Sequence, residues 1–413
     1  MAEEQVTPEQ SISGADQVRH RHVFYIPGYD PIHPRRYREL YRKEGAAQAA
    51  ISGYELALSP KRVGGAYGWH VAAQIEGAAV SADVEVLVWS DIVRDSMTGS
   101  IPGTYLQLAR TAWVYLSTGA LWRMMRLRKG PVIAALYPVG FLLVQALVAV
   151  LTGLGVFHLI APYAVVLAAL PGLLVAGLIL RWFKKRDGRY FAYYLMHDYA
   201  FSARWRGANP AELEERMAEM GDTIAEALQG GAEEVLVVGH SSGAHLAVSI
   251  LADLLRAGRV PDNGPALSFL SLGHVVPMMS FLPAADRLRR DLRDLSASER
   301  VTWVDVTAPG DGCAFALCDP VAVSGVAPPG RRGPLVISAA FTQTLSPEKW
   351  RELRWRFFRL HFQYLCAFDR PGDYDYFRIT AGPQRLATRF AGRAPSASRI
   401  ETPVSGYRSV SGP

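Results

Sequence analysis

Cysteine is scarce in this chain: Cys313, Cys318 and Cys366 are the only three among 413 residues. Three is too few, and odd in number, for a disulfide framework. A C-x4-C pair without accompanying histidine ligands is a poor zinc pattern, so these residues read as buried thiols and no metal site is expected. Charge is scarce as well, at 20% of residues, and is missing altogether from 131–180, fifty positions without Lys, Arg, Asp or Glu. No apolar run opens the chain between Met1 and Arg21, so no secretory signal is read there and the bulk of the chain is expected in the reducing cytoplasm. Internal repeats, a dinucleotide-type glycine loop and a P-loop are absent from the sequence too, and no organic cofactor is expected.

What is present is apolar and basic. Hydrophobic residues make up 50% and the net charge is +6. Much of the basic excess flanks the uncharged block: Arg123, Arg126, Arg128 and Lys129 precede it, and Arg181, Lys184, Lys185, Arg186 and Arg189 follow it. That placement fits a membrane surface and not nucleic acid. The block is long enough for two spans of about 20 residues each, expected at Val132–Leu151 and Tyr163–Leu180. The link Thr152–Pro162, punctuated by Gly153, Gly155 and Pro162, carries no Lys or Arg. By the positive-inside rule both outer ends are cytoplasmic. The expectation is therefore a multi-pass protein of the inner (cytoplasmic) membrane, with both termini and the remaining domain on the cytoplasmic side. Trp113, Tyr115, Trp122, Trp182 and Tyr190 suit an interfacial belt. The alternative is a buried or re-entrant hairpin. The one ionisable residue, His158, lies in the link, so nothing resembles an ion path and the hairpin reads as an anchor.

Outside the block, short β-rich runs alternate with helical patterns, which predicts an α/β fold with a mostly parallel central sheet covered by helices. The clearest strands are His22–Ile26, Val84–Trp89, Glu234–Val238, Leu267–Leu272, Val301–Val306 and Leu335–Ala339, with Trp69–Ile75 a further candidate. Asn209 and Pro210 open a helix that ends near Leu228 and delivers the chain into Glu234–Val238. Residues 1–20 and 392–413, rich in Ser, Pro, Gly and charge, read as disordered tails. The expected organisation is one α/β domain in two parts, 21–100 and 191–391, interrupted by the membrane insertion 101–190.

The sequence contains one G-x-S-x-G, Gly239-His240-Ser241-Ser242-Gly243. Alone this pattern is weak evidence; its position between an apolar strand and an amphipathic helix strengthens it. A strand-to-helix elbow strains the backbone at the serine, and both glycines are needed because side chains there would collide with their neighbours. An ordinary Gly/Ser turn is the bland alternative. In this setting the motif resembles the nucleophile elbow of the α/β-hydrolase superfamily, over most of residues 20–380 apart from the insertion.

The resemblance implies a Ser–acid–His triad in that chain order and acyl-transfer chemistry. Ser241 matches the nucleophile, and the backbone N–H of Ser242 matches one oxyanion donor. Pro27-Gly28-Tyr29-Asp30 resembles the family's His-Gly-x loop with proline in place of histidine, which assigns the second donor to the N–H of Tyr29. The acid follows a late strand: Asp311, in the turn-rich loop after Val301–Val306, is the first choice, with Asp305 and Asp319 as competitors. Of ten histidines, His361 is the one beyond Asp311 and is taken as the base. It departs from the family pattern by lying in a helical-looking stretch, Trp350–Tyr364. His274 is the runner-up, and His240 and His245 flank the nucleophile. The expected function is a membrane-anchored serine esterase or lipase-like hydrolase of an ester, thioester or related acyl bond. Its expected partners are the lipid bilayer and a small-molecule or lipid acyl substrate. A catalytically silent scaffold of the same fold and an acyltransferase using the same triad remain open, as do the substrate head group and the oligomeric state.

Overall fold

The computed structural model describes residues 17–61, 64–97 and 99–411. Eight strands, β1 (His20–Ile26), β2 (Glu55–Pro60), β3 (Gly68–Ile75), β4 (Ala78–Val86), β5 (Glu234–His240), β6 (Ala266–Leu272), β7 (Val301–Thr307) and β8 (Leu335–Ser338), form one sheet. Their spatial order is β2-β3-β4-β1-β5-β6-β7-β8. From β4 to β8 all neighbours are parallel, while β2 and β3 form an antiparallel margin. The fold is thus α/β, with a mostly parallel sheet. All seven residues of β5 are buried, as expected for an unbroken apolar run covered on both faces. The half-exposed β2 carries too short an alternation to stand out in sequence, and the strand expected at Val84–Trp89 ends instead at Val86.

A buried ion pair fixes the register at the centre of the sheet. Arg21 on β1 donates to Glu234 on β5 at 2.7 Å, and its other nitrogens donate to the carbonyls of Gly382 and Gln384. Glu234 also accepts from Ser268 (2.6 Å) and from the N–H of Leu386 (2.8 Å). Such a pair adds little net stability over an apolar one, yet removing either partner strands a buried charge, so it specifies alignment. With Arg21 opposite Glu234, Ile26 falls opposite Gly239. The chain leaves β1 toward β4 on one side and returns through β5 on the other. The carboxyl ends of β1 and β5 therefore flank a topological switch point, where open α/β sheets bind ligands.

Between β4 and β5 the chain makes a helical insertion: Ile101–Ser117, Ala120–Met125, Lys129–Ile160, Val165–Lys185, Asp187–Tyr190 and Ala192–Arg204. Two of these, Lys129–Ile160 and Val165–Lys185, are long and apolar enough to cross a membrane, and 22% and 11% of their most apolar stretches are buried. The expected boundaries need correction. The first helix continues through Gly153 and Gly155 to Ile160, and the turn is Ala161–Ala164. Gly153 does not punctuate: it lets the helices touch, since a Cβ on it would sit 2.7 Å from the Gly172 carbonyl oxygen, and one on Gly172 would meet the Gly153 oxygen at 2.8 Å. Close backbone approach at small residues is how apolar helices associate in lipid. Arg128 at the start donates to the Ala316 carbonyl, and Lys184 at the end to that of Gly99, pinning both ends to the domain.

The helix that leads into β5 begins at Ala211, with Pro210 and not Asn209 as its N-cap; Asn209 instead donates to Glu214. The carboxyl-terminal stretch is also not the loose tail its composition implied. Over 392–411 it packs Ile400 and Val404 against Phe315, Cys318 and Val323. It is held by Ile400 N–H to Leu317 (2.7 Å), Val404 N–H to Val323 (3.1 Å) and the buried Arg289, which donates to the Ser409 carbonyl. Apolar side chains placed against a core cleft, together with these hydrogen bonds, oppose the entropy of ordering a polar segment. Of the amino-terminal tail, residues 1–16 lie outside the described residues, and Val18 is already buried.

Gly172→Val should destabilise the hairpin by about 1–3 kcal/mol, the usual cost of overpacking. Gly177→Val, where a Cβ meets nothing within 4 Å, should be neutral. Thermal melting of the detergent-solubilised chain compares the two.

Candidate active site

Ser241 stands at the end of β5, where the helix Ser242–Arg256 begins. Its φ of 57° and ψ of −121° lie in a region that costs a non-glycine residue about 1–3 kcal/mol and persists where the surroundings enforce it. They do so here. A Cβ on Gly243 would fall 2.1 Å from the Ile26 oxygen, and one on Gly239 would fall 2.7 Å from Ala244 Cα. The Ser241 N–H donates to the Leu272 carbonyl of β6 at 2.9 Å. Parallel pairing of β1 with β5 sets Pro27-Gly28-Tyr29 beside the elbow, close enough that a Cβ on Gly28 would meet Ser241 Cβ at 2.9 Å.

That loop is anchored at several points. Trp89 Nε1 donates to the Pro27 carbonyl (2.9 Å), Tyr194 Oη donates to the Tyr29 carbonyl, and Tyr29 Oη pairs with Ser96 (2.5 Å). Asp30 accepts from Arg36, Tyr37 and its own loop at Ile32. Neither the Tyr29 N–H nor the Ser242 N–H is spent on a backbone carbonyl among the described residues. Both are unspent beside the pocket, and the helix that starts at Ser242 adds a favourable field for negative charge.

Beyond β7 the chain turns through Ala308–Asp311. Asp311 is buried and its carboxylate takes three donors: His361 Nδ1 (2.7 Å) and Tyr364 Oη (3.0 Å) on Oδ2, and the Cys313 N–H (2.8 Å) on Oδ1. Burial raises its pKa, but the His361 charge and these hydrogen bonds outweigh it and hold the carboxyl below its usual value. In the neutral form of the ring, an Nδ1–H directed at the ionised Asp311 leaves Nε2 as the nitrogen with the lone pair. His361 and Ser241 line one pocket.

The stretch Trp350–Tyr364 is not one helix. It breaks after Leu353 and resumes as Phe357–His361 and a 3-10 turn, Gln363–Leu365. The break lets Leu353, Leu360 and Tyr364 all face the core, and His361 ends the second piece with its ring toward Asp311. His240 supports it from beneath: its Nε2 donates to the His361 carbonyl (3.0 Å), and its Nδ1 accepts from Tyr25 Oη (3.3 Å). Burial, and then the neighbouring His361, lower His240 to about 3, so it acts as a neutral peg. His245, lowered by burial to about 4, also lines the pocket.

The competing residues lie elsewhere. His274 is fully buried with Nε2 against the Cys318 carbonyl (2.9 Å), and Asp305, which burial pushes up to about 6, accepts from Ser271. Asp319 caps the short helix Pro320–Val323 and pairs with Arg331. Asp311, Cys313 and His361 bring metal-binding atom types within 4.8 Å of one another. However, the Asp311 and His361 atoms are bonded to each other, and burial holds the Cys313 thiol protonated.

Sequence reasoning missed the pocket's outer wall. The helix Ala192–Arg204, separated from the apolar hairpin by the short helix Asp187–Tyr190, contributes Tyr194, Leu195, Asp198, Tyr199 and Ser202. Phe191 and Tyr194 pack on Phe358, four residues from Phe362 and three from His361 (ring centroids 5.1 and 6.1 Å). Asp198 has no motif around it; the signal that it offered was a lone acid in an aromatic helix.

Gly243→Ala should cost about 3 kcal/mol or more, at or above the upper end of overpacking penalties, because the obstructing atoms are backbone. Denaturant unfolding of the solubilised protein measures it. Comparison with protein-family models, with curated proteins and with solved structures finds no match for this chain.

Proposed function

We propose that this protein is a membrane-anchored serine hydrolase of the α/β-hydrolase type, cleaving an ester, thioester or related acyl bond. The observation that carries the reading is the strained Ser241 elbow sharing one pocket with His361, whose ring is held by Asp311. Such an arrangement suits acyl transfer. His361 Nε2 takes the Ser241 proton, Ser241 Oγ adds to the carbonyl carbon, and the oxyanion is met by the N–H groups of Tyr29 and Ser242. The imidazolium then protonates the leaving group as its bond to the carbonyl carbon breaks and the oxyanion collapses to a carbonyl, leaving the acyl group on Ser241. Water, deprotonated by the same imidazole, releases the acid and restores the serine. Each oxyanion donor is worth about 3–4 kcal/mol of barrier.

The hairpin anchors the enzyme, with its flanking arginines and lysines on the cytoplasmic side. Stacking of Arg186 over Trp182 at 4.0 Å suits a bilayer interface. Two apolar helices left this exposed would be a heavy liability in water. Because the pocket-wall helix Ala192–Arg204 begins seven residues after the hairpin ends, the site lies close to the membrane in this reading, which favours a lipid or acylated substrate by raising its effective concentration.

A fluorophosphonate probe should label the wild-type chain in detergent. Ser241→Ala should abolish labelling, and Asp311→Asn should slow it by up to ~10⁴-fold, the order seen when a triad acid loses its charge. His274→Ala should label normally. Folded wild-type protein that stays unlabelled would sink the hydrolase reading in favour of a silent scaffold.

A further inference from the structure

Two carboxyl groups line the Ser241 pocket, and they differ in one respect. Asp30 is neutralised where it stands, by Arg36 at 2.9 Å and Tyr37 at 2.5 Å. Asp198 has no such partner: no hydrogen bond or ion pair satisfies its side chain among the described residues. The groups that face it are Tyr29, Tyr115, Tyr194, Tyr199, Cys313 and His361. Burial keeps the four tyrosines and the cysteine protonated and therefore neutral. His361 is already bonded to Asp311. Leaving a half-buried carboxyl in a ring-lined pocket without a counter-charge costs stability, and proteins retain such a cost where a ligand repays it.

We infer that Asp198 is a specificity residue that, with the aromatic rings around it, receives a cationic nitrogen carried by the substrate. The inference rests on the hydrolase reading for the word substrate, while the cation site itself does not depend on catalysis. Rings present their negative faces to a cation and a carboxylate supplies the full charge, a combination suited to an ammonium group stripped of water. An empty site should hold the Asp198 proton more tightly than an ordinary carboxyl, and burial does push it up to about 7. A bound cation would favour the ionised form, so affinity should rise with pH through that region and level off above it.

The test uses the full chain in a non-ionic detergent and compares choline with its neutral isostere 3,3-dimethylbutan-1-ol by calorimetry. The expected result is at least tenfold tighter binding of choline at pH 8 than of the isostere. That preference should weaken at pH 6, be lost in Asp198→Asn and be partly kept in Asp198→Glu. The isostere should show no comparable pH dependence, and the pH dependence of choline binding should vanish in Asp198→Asn. A lysophosphatidylcholine arm identifies the source: binding tighter than choline marks a lipid headgroup, and weaker binding marks a small soluble cation. Equal binding of choline and its isostere, or a choline preference that survives Asp198→Asn, overturns the inference. Choline binding without fluorophosphonate labelling would leave the cation site standing and remove the hydrolase.

Discussion

Everything at the pocket depends on a contact with no side chain in it, the backbone of Gly243 against the carbonyls of Ile26 and Pro27. The β1–β5 register sets that contact, and the buried Arg21–Glu234 pair sets the register from the opposite end of the same two strands. Because side chains alternate with period two along a strand, a slip of one residue would turn the elbow and the Tyr29 loop to different faces. The two N–H groups proposed to meet an oxyanion are therefore placed by an ion pair eight residues back along each chain segment. Specificity of alignment, more than stability, is what such a pair contributes.

The second half of the site is assembled from loops hung on the sheet's other flank. Asp311 is fixed by three donors before any substrate arrives, and His361 is held at both its ring and its carbonyl. In the proposed mechanism this matters because preorganised dipoles act without reorganisation at the moment of reaction. The wall facing them belongs to the insertion. In the proposed enzyme, fixed machinery on the sheet and a pocket wall supplied by the insertion would divide the labour, so that substrate choice could vary without disturbing the elbow.

Much of this was legible in sequence, for definite reasons. The buried parallel strands announce themselves as unbroken apolar runs, and the glycines of Gly239–Gly243 have a steric cause that any elbow shares. The turn-rich loop after Val301–Val306 offered Asp311, the chain order of the resembled family offered His361, and the structure places the two in hydrogen-bond contact. The rest was hidden because it depends on tertiary partners. Gly153 reads as a helix breaker until Gly172 is seen against it, and the segment around Ile400 reads as loose until its cleft is known. Asp198 and Tyr364 belong to no local pattern; each acquires meaning only from what surrounds it.

The insertion also divides the sheet in time. Strands β1 to β4 precede the hairpin and β5 to β8 follow it, so β1 waits for a neighbour translated some two hundred residues later. At bacterial-to-eukaryotic synthesis rates that interval is roughly 10–40 s. In the proposed topology the hairpin has entered the bilayer by then, and the two halves of the sheet must find each other at the lipid surface. The first half spends that interval with the edge of β1 unpaired, a surface open to wrong partners. A tether that holds both halves against one leaflet confines their search to two dimensions. Seen this way, the anchor serves the ribosome's product before it serves any substrate.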